Sequence, residues 1–149
     1  MKVDIDFYLD GAVESRLPQL VAAESPLRLE RGESGSYSFH SKDAILDSFF
    51  FYTSADEEIM SEVPLHVETQ RALGIQPESH LLYQGCNLNP AKVAAFEKIM
   101  EYLAGKDIPL YMTATDEYGE EMLIRGYNPA TDTEVRNPNF RQALPRLLE

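Results

Sequence analysis

The chain has 149 residues, 44% hydrophobic and 26% charged, which is the size and composition of a single globular domain (1–149) able to bury its own core. Its 13 Lys and Arg against 25 Asp and Glu leave a net charge of −12, a balance that repels nucleic-acid backbones and anionic membranes and favours basic partners. A lone cysteine, Cys86, excludes an internal disulfide framework, and the opening MKVDIDFYLDG has no apolar run of the length a secretory signal or membrane span requires, so a cytoplasmic location is expected.

Residues 2–10 alternate, with Val3, Ile5, Phe7 and Leu9 on one side and Asp4, Asp6, Tyr8 and Asp10 on the other. That pattern predicts a half-buried strand with a solvated carboxylate face. Val13, Leu17, Leu20 and Val21 fall at helical spacing, but Pro18 predicts a short or kinked helix because an interior proline removes a backbone bond. Residues 27–30 and 36–40 read as strands of a hairpin around Arg31-Gly32-Glu33-Ser34-Gly35. The run Asp47-Ser48-Phe49-Phe50-Phe51-Tyr52-Thr53 is apolar on both sides and aromatic, the signature of a central strand buried in the core.

Residues 64–74 predict a helix that opens near Pro64 and closes at Gly74. A strand over 80–85 precedes the clearest element, a helix over 89–104. Asn89 caps it, Pro90 suits its first turn, and Val93, Phe96, Ile99, Met100 and Leu103 form its apolar stripe before Gly105 stops it. Residues 109–115 and 121–127 predict paired strands across Asp116-Glu117-Tyr118-Gly119-Glu120. A short strand near 133–135 and a terminal helix over 139–148 complete the chain. The expected class is α+β, a mainly antiparallel sheet of about five to seven strands packed against two to four helices.

The chemistry-bearing residues form no catalytic signature. Asp4-Ile5-Asp6 has the D-x-D spacing of some magnesium-dependent nucleotide-sugar enzymes, but no phosphate-binding loop accompanies it, and a solvated strand face explains it better. His40, His66, His80 and Cys86 are zinc-ligand types at separations of 26, 14 and 6 residues, which match no compact ligand pair. Cys86, just ahead of a helix, reads as a buried thiol before it reads as a nucleophile. The dinucleotide, P-loop, α/β-hydrolase and HExxH motifs are missing, so an enzyme is the less favoured class, and no catalytic set, cofactor or metal is expected.

What remains is acidic surface in three clusters: Asp4, Asp6 and Asp10; Asp56, Glu57, Glu58 and Glu62; and Asp116, Glu117, Glu120 and Glu121. Tyr8, Tyr52 and Tyr118 lie near them in sequence, and tyrosine is a favoured interface anchor. Arg136, Arg141 and Arg146 form a weak basic counter-patch. In size and charge this profile resembles that of bacterial immunity proteins, which neutralise a basic nuclease toxin by covering its active site. The expectation is therefore an acidic module that binds a basic protein, without nucleic acid or membrane as partner. One alternative is a small metal- or ligand-dependent enzyme with a pocket near Asp4, Asp6, His66 and Cys86. The other is a small-molecule-binding or assembly module using the aromatics from Phe49 to Tyr52.

Overall fold

The computed structural model describes residues 2–11, 17–31, 37–53 and 67–137. These build one antiparallel sheet of eight strands in the order β2-β3-β4-β5-β1-β6-β7-β8. The strands are β1 (Lys2–Asp10), β2 (Leu27–Arg31), β3 (Tyr37–Ser41), β4 (Ser48–Thr53), β5 (Pro77–Asn87), β6 (Leu110–Thr115), β7 (Glu121–Asn128) and β8 (Thr133–Arg136). The fold is broadly α+β as expected, but the five to seven strands anticipated become eight. Each of the eight falls on a segment whose pattern predicts a strand, so the expected total is an undercount, and β5 is central, receiving β4 on one side and β1 on the other. The predicted terminal helix over 139–148 lies outside the described residues.

The helices are α1 (Leu17–Leu20), a single turn that contains Pro18, α2 (Val67–Leu73) and α3 (Pro90–Gly105). The sequence shows why α3 forms where it does. Asn89 is extended (φ −144°) and its Oδ1 accepts the Lys92 amide at 2.9 Å, while Pro90 has no amide to leave unsatisfied. The stripe of Phe96, Ile99, Met100 and Leu103 is fully buried against the sheet. There it meets Val3, Ile5, Phe7 and Leu9, the apolar side of β1, in one continuous core. Phe7 touches Phe49 and Phe96 at ring separations of 6.0 and 6.3 Å, so three distant segments share one aromatic centre. Burying each such side chain stabilises the fold by about 1.5–3 kcal/mol.

The opposite face of the sheet is covered over part of its width by α2. Leu73 sits directly on Gly126 of β7, where a Cβ would stand 2.6 Å from Leu73 Cδ1 and 3.0 Å from Tyr111 Cβ. Glycine lets the Leu73 side chain pack onto the strand, and a methyl group there would force Leu73 to shift. Gly74 then reverses the chain at φ +68°, and the buried Asn128 side chain donates to the Leu73 carbonyl at 2.8 Å, satisfying a helix-end acceptor.

The edge strands β2 and β8 carry exposed charges, Arg28 and Glu30 on one and Glu134 and Arg136 on the other. The aromatic run of β4 is not core on both sides, as its composition suggested. Phe49 is fully buried under α3, whereas Phe50, opposite Ser38 and Leu82 on the other face, is 49% exposed.

Candidate functional site

The carboxylate side of β1 is a seam as well as a surface. Opposite Asp4, β5 inserts an extra residue, with Gly85 at φ +69° and its amide donating to Asp4 Oδ1 at 2.8 Å. At the far end of β1 a second irregularity is closed by Asp10, whose Oδ1 accepts the Gln76 amide at 2.8 Å. Between them Asp6 lies 2.6 Å from Nε2 of His80. Each of the three aspartates therefore ties β1 to β5 or its approach once, and the D-x-D spacing follows from the strand's period of two. Asp6 is not solvated as expected: it is only 6% exposed.

His80 belongs to a row of side chains in direct register across the sheet: Tyr52, His80, Tyr8 and Tyr111. Tyr8 stacks on His80 at 4.5 Å and 11° and on Tyr111 at 4.9 Å and 25°. Tyr52 tilts against the other side of the imidazole at 5.7 Å. Gln70 of α2 donates to the Tyr111 hydroxyl at 3.0 Å, and burial pushes that phenol well above its ordinary range. Burial likewise raises the Asp6 carboxyl, opposed by the hydrogen bond and charge of His80 and reinforced by the nearby Glu121 and Asp4 carboxylates. Glu121 itself accepts from the Thr113 hydroxyl at 2.8 Å.

Nε2 of the imidazole is thus engaged by Asp6, and Nδ1 is the ring nitrogen left facing the interior. That nitrogen is buried and has no hydrogen-bond partner among the described residues. The pair is a structural joint between β1 and β5.

At the end of the sheet where β1 begins, Asp4 lies near the exposed Glu117 and Glu120. Asp4 is in register with Thr115, the last residue of β6, and the Lys2 amide donates to Glu117 Oε1 at 2.7 Å. The connecting turn is held from inside by Asp116, whose Oδ1 accepts the amides of Tyr118 and Glu120 at 2.9 and 3.0 Å. Gly119 supplies the positive φ of +80° that the turn requires. Glu117 and Glu120 stand exposed, and Tyr118 between them is 80% exposed.

Two of the three clusters read from the sequence thus adjoin, while Asp10 lies at the far end of β1. Asp6, Tyr8 and Asp116 are buried and act within the fold. Asp56, Glu57, Glu58, Glu62 and His66 lie outside the described residues.

Cys86 faces the α3 core, opposite to Asp4 and Asp6, and burial raises its thiol above the ordinary value against a lowering by Lys92. His40 pairs with Glu30 at 2.6 Å on the β2–β3 hairpin, away from His80. Among the described residues no three His, Cys, Asp or Glu side chains stand close enough to hold a metal ion. No described helix is long and apolar enough to cross a membrane. The sequence could not reveal the aromatic row, because its members come from four strands and meet only through register. Among known proteins, no family model, curated protein or solved structure matches the chain.

Proposed function

We propose that this chain is an acidic protein-binding module, an immunity-type inhibitor that neutralises a basic, nuclease-like toxin by masking its active site. The observation that carries the reading is the β6–β7 turn beside Asp4, where Glu117, Tyr118 and Glu120 are exposed on a turn already held by Asp116. A held turn loses little entropy on binding, and an exposed tyrosine among carboxylates suits a basic surface. The chain's net charge of −12 steers such a partner over longer range.

The test is capture from the source cells' lysate on the immobilised chain at low and high salt, with mass-spectrometric identification. A basic protein is retained at low salt and released at high salt, and the Glu117→Lys, Glu120→Lys double variant binds it at least about tenfold more slowly. Identical association of the two chains, or the absence of any basic protein at low salt, refutes the reading. One observation favours an assembly module instead: Phe50 is 49% exposed and stacks beside Tyr52 at 6.4 Å. Self-association lost in Phe50→Ser, read by sedimentation, would establish that alternative.

A further inference from the structure

At the other end of β7 from the acidic turn, the C-terminal end of α3 and the strand enclose an open hollow of about 340 Å³. Met100, Ala104, Tyr127 and Pro129 supply its apolar walls, and Gly105 also lines it. Glu101 and Asp107 place carboxylates on the rim. The hollow also receives the negative end of a 16-residue helix whose last turn carries no basic residue. Lys106, which follows that turn, directs its Nζ elsewhere, to Glu24 at 2.8 Å and over the Tyr102 ring.

The cation in the wall, Arg125, is already engaged. Its Nε donates to Glu134 Oε1 at 2.8 Å and its Nη1 lies 3.6 Å from Glu101. Behind it, Asp132 accepts from the Tyr127 hydroxyl at 2.6 Å. Among the described residues that line the hollow, two carboxylates, Glu101 and Asp107, face one cation, Arg125, and an aromatic ring and a methionine line it. An apolar stem with a cationic head satisfies both features, because the stem packs on the walls while the head meets the carboxylates, the ring face and the helix end.

We infer that this hollow seats an arginine or lysine side chain of the basic protein partner, an inference that rests on the reading of the chain as a binder of basic protein. It adds a second contact remote from the Tyr118 turn, so one partner spanning both is held at two points. Simultaneous engagement raises affinity beyond either contact alone.

The probe is a capped Gly-Arg-Gly-Arg-Gly peptide, with a control in which citrulline, close to isosteric but neutral, replaces arginine. The readout is amide chemical shifts of the full chain. The arginine peptide is expected to move the amides of Gly105, Asp107 and Tyr127, and the citrulline peptide to move them about fivefold less at equal concentration. Glu101→Gln weakens the response about threefold, the scale of one exposed charge pair.

Gly105→Leu, which adds bulk at a lining position without changing charge and whose Cβ meets no atom within 4 Å, is expected to reduce the response. Equal shifts from both peptides, no shift at these amides, or a response to acetate alone through Arg125 overturns the inference. The Glu117→Lys, Glu120→Lys chain separates the two contacts. If it retains the peptide shifts, the hollow is an independent seat. If it loses them, the seat is refuted while the acidic turn stands. A seated peptide together with an empty lysate capture keeps the cation site and removes the proposed partner.

Discussion

The two faces of the sheet solve the same burial problem with different materials. Under α3, Val3, Ile5, Phe7 and Leu9 meet Phe49, Phe96 and Leu103 in a core that is apolar throughout. On the opposite face, the buried layer is Asp6, His80, Tyr8 and Tyr111, closed at one end by Leu73 and Ile75. The first face is held by area removed from water and tolerates neighbours of similar size. The second is held by register, since its rings stack and the Asp6–His80 hydrogen bond forms only if β1, β5 and β6 align residue by residue.

The largest test of this contrast is Phe7→Ala, which removes the aromatic centre of the α3 face and should cost about 3–5 kcal/mol in denaturant unfolding. Phe50→Ala, two strands over but on the open face, should stay within about 0.5 kcal/mol. Equal losses from the two would erase the distinction between the faces.

A smaller effect is expected at the contact between α2 and the sheet. Gly126→Ala places a methyl group 2.6 Å from Leu73 Cδ1, and relieving the overlap should cost about 1–3 kcal/mol. Hydrogen exchange should show lost protection in α2 before any change in α3, and uniform loss across both helices would contradict separate attachment.

The last test asks for a sign. Burial raises the folded-state value of Asp6 above the ordinary 3.8, so the ionised carboxyl weighs against folding at neutral pH and the protonated one does not. The contribution of a raised group is present below its unfolded value and lost as pH rises through its folded value. Relative to Asp6→Asn, the native chain should therefore gain stability as pH falls from neutral through that raised value. A native chain that loses ground to Asp6→Asn over the same window would show that the His80 partner outweighs burial.

The same division explains what could be read from the amino-acid order. The α3 helix was legible because its cap, its proline and its stripe are local. The nine residues of β1 were legible because strict alternation has one structural meaning. The burial of Asp6 was not, because its partner His80 lies 74 residues away and becomes a neighbour only through antiparallel register. The exposure of Phe50 escaped for a related reason: composition does not say which face of a strand another element will cover. Of the candidate site, the carboxylates at 116–121 were legible as a charged turn. Their meeting with Asp4 depends on how β1 pairs with β6.

Among the described residues the sheet is open, and its margins have a consequence for the molecule in company. An unclosed sheet has two rows of backbone donors and acceptors against which a neighbouring chain can lay a further strand. On the β8 margin, Glu134 binds Arg136 at 2.9 Å and Arg125 at 2.8 Å, so an arriving strand must first strip water from an interlocked triad of charges. On the β2 margin, Arg28 and Glu30 impose the same toll. Fibre growth is thus opposed at both ends by hydration, and the protein can crowd with copies of itself without being copied strand by strand.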